Sequence, residues 1–214
     1  GLHGHSLPSQ RAGAGTDRRR SRGALGLAQA AIGYLFHASA TPKQHPPIDD
    51  LIYWALPSVL AGRPGPSYAP WNTDSLVDQG IGGVISLDGP IRVKELREAG
   101  IDHLPAYQPM LLLHSIDDHL RFLSIMPRVL SFVDLHRQSG RATMIHCHYG
   151  CDRTGAALAC YLVARESMDA DAAISSIQRV NPDAMWAVGY SDAVHTFEDS
   201  YRRSPHLYDG TLLP

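Results

Sequence analysis

Hydrophobic residues recur along residues 48–205 at two spacings, one typical of buried strands and one typical of amphipathic helices. Short apolar runs bounded by glycine or polar turn residues predict four strands, at 58–62, 81–87, 101–107 and 141–146. Apolar positions three and four residues apart predict six helices, at 71–79, 91–99, 116–138, 154–165, 169–180 and 189–203. Pro127 should kink the longest helix, and Asn181-Pro182 should end the helix over 169–180.

The alternation of strands and helices predicts an α/β fold, with a central, mainly parallel sheet that is covered by helices on both faces. Ligands of such sheets bind just beyond the carboxyl ends of the strands. A functional site is therefore expected in a loop that follows one of the predicted strands.

The first 47 residues differ from the rest and are predicted to form an extension that ends in a proline-rich linker. Residues 1–23 are rich in glycine, serine and arginine, which predicts disorder. Residues 24–40 form an apolar, alanine-rich run that resembles a secretory signal, but glycine and glutamine dilute it and it is too short to span a bilayer. We expect a helix that packs on the domain or anchors at a surface. Residues 48–205 are assigned to one globular domain and 206–214 to a C-terminal tail.

Composition and charge agree with one domain that carries a local site. With 214 residues, of which 44% are hydrophobic, the chain can bury a substantial core. A net charge of −2 gives no general attraction to nucleic acid or to acidic membranes. We predict a cytoplasmic location. The alternative is membrane association, either through 24–40 or through upstream sequence, which could be missing because the chain begins with Gly1 and not with Met. The oligomeric state is left open.

Three cysteines argue against a disulfide framework and for a reducing compartment. Cys160 is expected in the core of a helix. Cys151 is expected to be a small loop residue, although its spacing from Cys147 would also suit a thiol that protects Cys147 from over-oxidation. The 12 histidines have no metal-ligand spacing, and neither a metal nor another cofactor is predicted.

The most informative stretch is HCHYGCDRTG, from His146 to Gly155. It lies between the predicted strand 141–146 and the predicted helix 154–165, so a strand, a tight loop and a helix are expected. In that arrangement backbone N–H groups can curl around an anion, and the positive end of the helix macrodipole points at it. The stretch therefore predicts a phosphate-binding loop. The residues expected to hold the phosphate are His148, Tyr149, Gly150, Cys151, Asp152 and Arg153.

Two residues of this loop suit phosphoryl chemistry. Cys147 would lie at the floor of the loop, where the helix terminus and Arg153 both favour the nucleophilic thiolate. Arg153 can donate two parallel N–H bonds to a phosphoryl group, which a lysine cannot do. His146 and Thr154 are placed to tune the cysteine, and Gly150 allows a positive φ.

The residues of this loop follow the pattern of a known enzyme family. His146-Cys147, five residues, and Arg153-Thr154-Gly155 resemble the signature of the cysteine-based tyrosine and dual-specificity phosphatases. The resemblance extends over residues 51–200, and the segments 52–62, 80–87 and 159–163 look like parts of the small atypical dual-specificity enzymes. It implies that Cys147 forms a phosphocysteine and that Arg153 holds the phosphate and the transition state.

One departure from the family concerns the proton donor. Members usually carry an aspartate general acid on a loop after the strand matched here by 101–105, and this chain has Ala106 at the expected position. Losing such a donor ordinarily costs about 10²- to 10⁴-fold in rate. Asp152 is a candidate replacement by resemblance to phosphatases with Asp-Arg-Thr in the loop; alternatively, it only bonds loop amides or orients Arg153. Weaker candidates are Asp117, Asp118 and His114.

The predicted function is hydrolysis of phosphomonoesters, with a phosphorylated protein or a small phosphoester as the partner. A phosphoinositide substrate is disfavoured because the loop positions between Cys147 and Arg153 carry no fixed positive charge. An RNA 5′-triphosphatase would tolerate the missing acid, but Tyr149 replaces the second loop histidine of those enzymes and no basic face for RNA is apparent. A third alternative is a pseudophosphatase that only holds a phosphorylated partner.

Overall fold

A computed structural model of the chain describes residues 51–89 and 91–209. The predicted extension over 1–47, including its apolar segment, and the final residues 210–214 lie outside the described residues. Within 51–89 and 91–209, no helix combines the length and the apolar character needed to cross a membrane.

A five-stranded sheet with strand order β1-β2-β5-β3-β4 forms the centre of the domain. All neighbouring strands are parallel except β1 and β2, which are antiparallel. Every residue of β3 and β5 is buried, as expected for strands covered on both faces. The strands are β1 Tyr53–Leu56, β2 Leu60–Pro64, β3 Ile81–Ser86, β4 Asp102–Pro105 and β5 Ala142–Cys147.

Helices cover both faces of this sheet, which confirms the predicted α/β class. They are α1 Thr73–Asp78, α2 Val93–Glu98, α3 Ile116–Leu123, α4 Met126–Gln138, α5 Asp152–Arg165, α6 Ala170–Val180 and α7 Tyr190–Arg203. Leu76 of α1 and Leu96 of α2 belong to a buried cluster with Val84 of β3. Gly83, the preceding residue of β3, points to the opposite face, where a Cβ would lie 2.7 Å from Phe132 of α4.

The first predicted strand, 58–62, was placed incorrectly. The segment is a hairpin in which β1 and β2 pair, and the amide of Val59 donates to the carbonyl of Leu56 at 3.1 Å. Ser58 lies in this turn with a φ of 59°, so it cannot begin a strand. The prediction missed the turn because serine gives a weaker signal for positive φ than glycine or asparagine.

The long helix predicted over 116–138 is also wrong, because it is two helices, α3 and α4. The chain leaves the first at Ser124, and Pro127 lies in the first turn of the second. A proline in the first turn costs no helical hydrogen bond, since that amide would have no partner within the helix. Pro127 therefore starts a new helix instead of kinking one.

A short 3-10 helix, Pro205–Tyr208, follows α7 and was not predicted. It brings Tyr208 against Phe197, with ring centroids 5.0 Å apart, and buries the tyrosine ring almost completely. The Tyr208 carbonyl accepts a hydrogen bond from Arg165 at 3.4 Å. This turn therefore ties the end of the described chain to α5.

Candidate active site

The predicted phosphate loop lies at the carboxyl end of β5, the central strand. Cys147 is the last residue of β5 and is 2% exposed, and α5 begins five residues later at Asp152. The helix N-terminus thus points into the loop, as the sequence predicted. This is the arrangement in which amide dipoles favour a bound anion.

Gly150 sets the curvature of the loop. Its φ is +74°, and a Cβ at this position would lie 2.5 Å from the backbone of Arg63 and Pro64. The Gly150 carbonyl accepts hydrogen bonds from the Tyr53 hydroxyl and, at 3.2 Å, from the Asn181 side chain. The loop is therefore fixed from β1 on one side and from the end of α6 on the other.

Replacing Gly150 with alanine should destabilise the domain and weaken phosphate binding. Alanine would combine an unfavourable left-handed φ with a clash against the backbone. We therefore expect the free energy of unfolding to fall by about 1–3 kcal/mol. Urea unfolding and orthovanadate affinity measure the two effects. Gly140→Ala is the matched control, since Gly140 has a φ of +69° but a Cβ added there would meet nothing within 4 Å. Equal losses in the two variants would contradict the clash.

Arg153 lies in the first turn of α5 with its side chain only 8% exposed. One guanidinium nitrogen, Nη1, donates to the carbonyl of Gln108 at 2.8 Å and to that of Leu87 at 3.4 Å. The same nitrogen lies 3.5 Å from Oδ1 of Asp88. The segments after β3 and β4 therefore anchor one branch of the guanidinium fork.

His146 supports the loop from inside the sheet. Its Nε2 lies 2.7 Å from the Ser86 hydroxyl, which in turn lies 2.9 Å from Nε2 of His103. Burial lowers the pKa of His146 to about 4, although a hydrogen bond with the Cys147 backbone partly opposes this shift. The imidazole is therefore neutral at physiological pH, and it can act on Cys147 only through position and hydrogen bonding.

The two residues that flank Arg153 differ in their surroundings. The Thr154 hydroxyl is fully buried, and within the described part of the chain it has no hydrogen-bond partner. Oδ1 of Asp152 accepts the backbone N–H of Ala187 at 2.8 Å. Burial raises the pKa of Asp152, while hydrogen bonding to Ala187 and the charge of Arg153 oppose the shift.

Cys151 contacts its own loop. Its Sγ lies 3.4 Å from the Tyr149 carbonyl, and burial raises the pKa of the thiol to about 12. The thiol is therefore protonated at neutral pH. This supports the expected role as a small loop residue. The three cysteines are all free, and Cys160 is buried in α5.

The expected acid position and the weaker candidate acids have other structural roles. Ala106 is buried, and its amide continues the pairing of β4 by donating to the Ser86 carbonyl at 2.9 Å. Asp118 caps α3: it accepts the amides of His114 and Ser115, and the Ser115 hydroxyl bond lowers the pKa of this carboxyl. Asp117 is exposed in the same first turn. These positions form an ordinary helix start.

Sequence reasoning missed three residues around the loop, namely Tyr53, Asn181 and Asp88. Tyr53 and Asn181 could not be found, because only the fold brings β1 and the end of α6 to Gly150. Asp88 had a signal, since it directly follows the predicted strand 81–87, where parallel sheets place functional side chains. Oδ1 of Asp88 is 3.5 Å from Arg153 and Oδ2 is 3.5 Å from Nδ1 of His148.

Three aromatic rings form a wall beside the loop. Tyr68, His148 and Tyr149 contact one another edge to face, with centroids 4.5 to 5.8 Å apart. Tyr68 is held by the segment after β2, where Arg63 donates to the carbonyls of Ala69 and Pro70. Next to this wall runs a groove of about 270 Å³ lined in part by Pro66, Trp71 and Arg92. These surfaces border the predicted phosphate loop.

A mainly parallel sheet whose central strand ends in a loop with a cysteine and an arginine is the arrangement that the sequence resemblance predicted. Residues 103–200 match the family model described as dual specificity phosphatase, catalytic domain. The predicted resemblance to the dual-specificity phosphatases is thus confirmed over this part of the chain, and atypical members of that family are among the structural neighbours. Family and fold together support phosphatase activity.

Curated relatives agree with this assignment. Dual specificity protein phosphatase 12 of Rattus norvegicus is 27% identical over 133 residues, which is 55% of this chain and 38% of the relative. The Homo sapiens protein of the same name is 29% identical over 68 residues, or 32% of this chain and 20% of the relative. The chain thus spans less than two fifths of the length of these relatives.

Solved structures share the fold at low sequence identity. PTPMT1, solved in complex with PI(5)P, is 16% identical with a TM-score of 0.60, covering 73% of this chain and 99% of that one. A mouse putative dual specificity phosphatase complexed with zinc tungstate is 17% identical with a TM-score of 0.57, covering 78% and 96%. Human DUSP28 is 16% identical with a TM-score of 0.55, covering 76% and 99%.

Proposed function

We propose that the domain is a cysteine-dependent phosphatase that hydrolyses phosphomonoesters on proteins through a phosphocysteine intermediate. The observation that carries this proposal is the position of Cys147 at the end of β5, facing the N-terminus of α5 with Arg153 in its first turn. A thiolate and a phosphoryl group are both stabilised by such a helix terminus. No other described cysteine has this setting.

In the first step the Cys147 thiolate attacks phosphorus, and the bond to the ester oxygen breaks. The backbone amides of residues 148–153 and the guanidinium of Arg153 bind the equatorial oxygens, where charge is held in the transition state. The anchored Nη1 keeps the fork in place before substrate arrives. The buried Thr154 hydroxyl can donate to the sulfur when it leaves as a thiolate in the second step, in which water hydrolyses the phosphocysteine.

Phosphotyrosine is the protein substrate that the aromatic wall beside the loop favours. The rings of Tyr68, His148 and Tyr149 offer an aromatic surface beside the loop, which the ring of a phosphotyrosine can contact. Edge-to-face contacts between aromatic rings contribute about 0.5–1.5 kcal/mol beyond burial. A phosphoserine has no ring to make this contact.

A steady-state screen tests the proposal. Phosphotyrosine peptides, phosphoserine and phosphothreonine peptides, phosphoinositides including PI(5)P, and 5′-triphosphate RNA are compared on the purified chain. We expect phosphotyrosine peptides to give the highest kcat/KM. Preference for a phosphoinositide or for triphosphate RNA would move the chain to that substrate class, and binding of phosphopeptides without turnover would identify a pseudophosphatase.

Asp152→Asn is expected to lower activity about tenfold, by a similar factor for every leaving group. The Asp152 carboxylate accepts the amide of Ala187, so the substitution should loosen that segment and the start of α5 together. Kinetics on a series of aryl and alkyl phosphates, with orthovanadate affinity measured in parallel, check this expectation. A loss confined to poor leaving groups would instead identify Asp152 as the general acid.

A further inference from the structure

Asp88 is a carboxylate beside the phosphate loop that accepts no backbone amide among the described hydrogen bonds. It follows β3, whose neighbour in the sheet is β5, and the Leu87 amide bonds the His146 carbonyl at 2.8 Å. This pairing places Asp88 level with His148, the first residue after Cys147. Its side chain is 30% exposed and lines a small cavity together with His146 and His148.

The two carboxylate oxygens face two different groups of the site. Oδ1 lies 3.5 Å from Nη1 of Arg153, and Oδ2 lies 3.5 Å from Nδ1 of His148. Both distances are longer than a hydrogen bond, and Nη1 already donates to the Gln108 carbonyl at 2.8 Å. The carboxylate is therefore close to the positive charge of Arg153, but neither contact is short enough to fix its orientation.

We propose that Asp88 is the proton donor to the leaving group. It would replace the aspartate that the family usually carries at the position held here by Ala106. This role rests on the proposed phosphatase function. The other acidic candidates are less suitable, because Asp152 accepts the Ala187 amide and Asp118 caps α3. Asp88 is the candidate that the pairing of β3 with β5 places beside the loop.

The proton follows a closed cycle. As the bond from Cys147 sulfur to phosphorus forms and the ester bond breaks, the electron pair stays on the departing oxygen, which takes the proton of Asp88. Water then attacks the phosphocysteine, its proton passes to the Asp88 carboxylate, and sulfur leaves as the thiolate. Phosphate and an alcohol or phenol are released, and Cys147 and Asp88 return to their starting forms.

A leaving-group series on Asp88→Asn tests this role. We expect kcat/KM for phenyl and alkyl phosphates to fall by about 10²- to 10³-fold, but by less than about tenfold for 2,4-dinitrophenyl phosphate, whose oxygen departs without a proton. Orthovanadate affinity and the urea midpoint should stay close to wild type. Asp117→Asn, an exposed aspartate in the first turn of α3, is the matched control and should change none of these values.

Three outcomes would overturn the role. An equal loss for all leaving groups together with weaker orthovanadate binding would make Asp88 a positioning residue for Arg153. Unchanged kinetics would make it a bystander. A selective loss in Asp152→Asn instead would move the donor to that residue. Failure of the phosphatase function is a separate result, because the wild-type chain would then hydrolyse none of these phosphates, or Cys147→Ser would hydrolyse them as fast as wild type.

Discussion

Serine in place of Cys147 is expected to lower kcat/KM by at least about 10⁴-fold, equivalent to roughly 5.5 kcal/mol of transition-state stabilisation. The reason is chemical, since a serine hydroxyl ionises far less readily than a thiol, and the adjacent His146, whose pKa burial lowers to about 4, is too weak a base to activate it. The amides of the loop are unchanged, so orthovanadate or tungstate should still bind. Steady-state kinetics and isothermal titration measure the two quantities.

Cys160→Ala is the control for this variant. Cys160 is buried in α5, away from the phosphate loop. Its replacement therefore tests whether the loss of a buried cysteine lowers activity through packing alone. It should retain activity close to wild type once the sample is shown to be folded. Activity near wild type in Cys147→Ser would remove the nucleophile assignment, and with it the proposed mechanism.

Lysine in place of Arg153 is expected to lower kcat/KM by about 10³-fold, within the range found when a transition-state donor is removed. The Arg153 guanidinium has two tasks, because Nη1 bonds the Gln108 carbonyl, while its other nitrogens, which have no partner among the described residues, can bind the phosphate oxygens. A single ammonium cannot perform both. We expect kcat to fall more than KM rises, since the interaction strengthens as charge develops on the phosphoryl group.

Arg165→Lys supplies the matched comparison on the same helix. Arg165 pairs with Asp134 at 2.8 Å near the C-terminal end of α5, away from the loop. This variant can lose some stability, but its kinetic constants should remain near those of wild type. Equal losses in the two arginine variants would mean that Arg153 acts through the packing of α5 and not on the phosphate.

Regular elements were predictable because local patterns determine them. Apolar runs identified β3 and β5, and helical spacing identified α2, α6 and α7 within a few residues. The predictions failed at the hairpin around Ser58 and at the break before Pro127, where a single backbone angle or the position of one ring decides the outcome. Such choices depend on packing against the sheet, which no local pattern records.

The sequence by itself determined the class of fold and the position of the predicted phosphate loop, since Cys147, Gly150 and Arg153 lie within seven residues and share one strand-to-helix turn. Tertiary structure alone decided what surrounds them. Parallel pairing of β3 with β5 brings Asp88 beside the loop, although the two are about sixty residues apart in sequence. The same packing turns Asp152 toward the Ala187 amide and buries Ala106, so our proposal of Asp88 as the proton donor depends on strand order, which residue spacing does not encode.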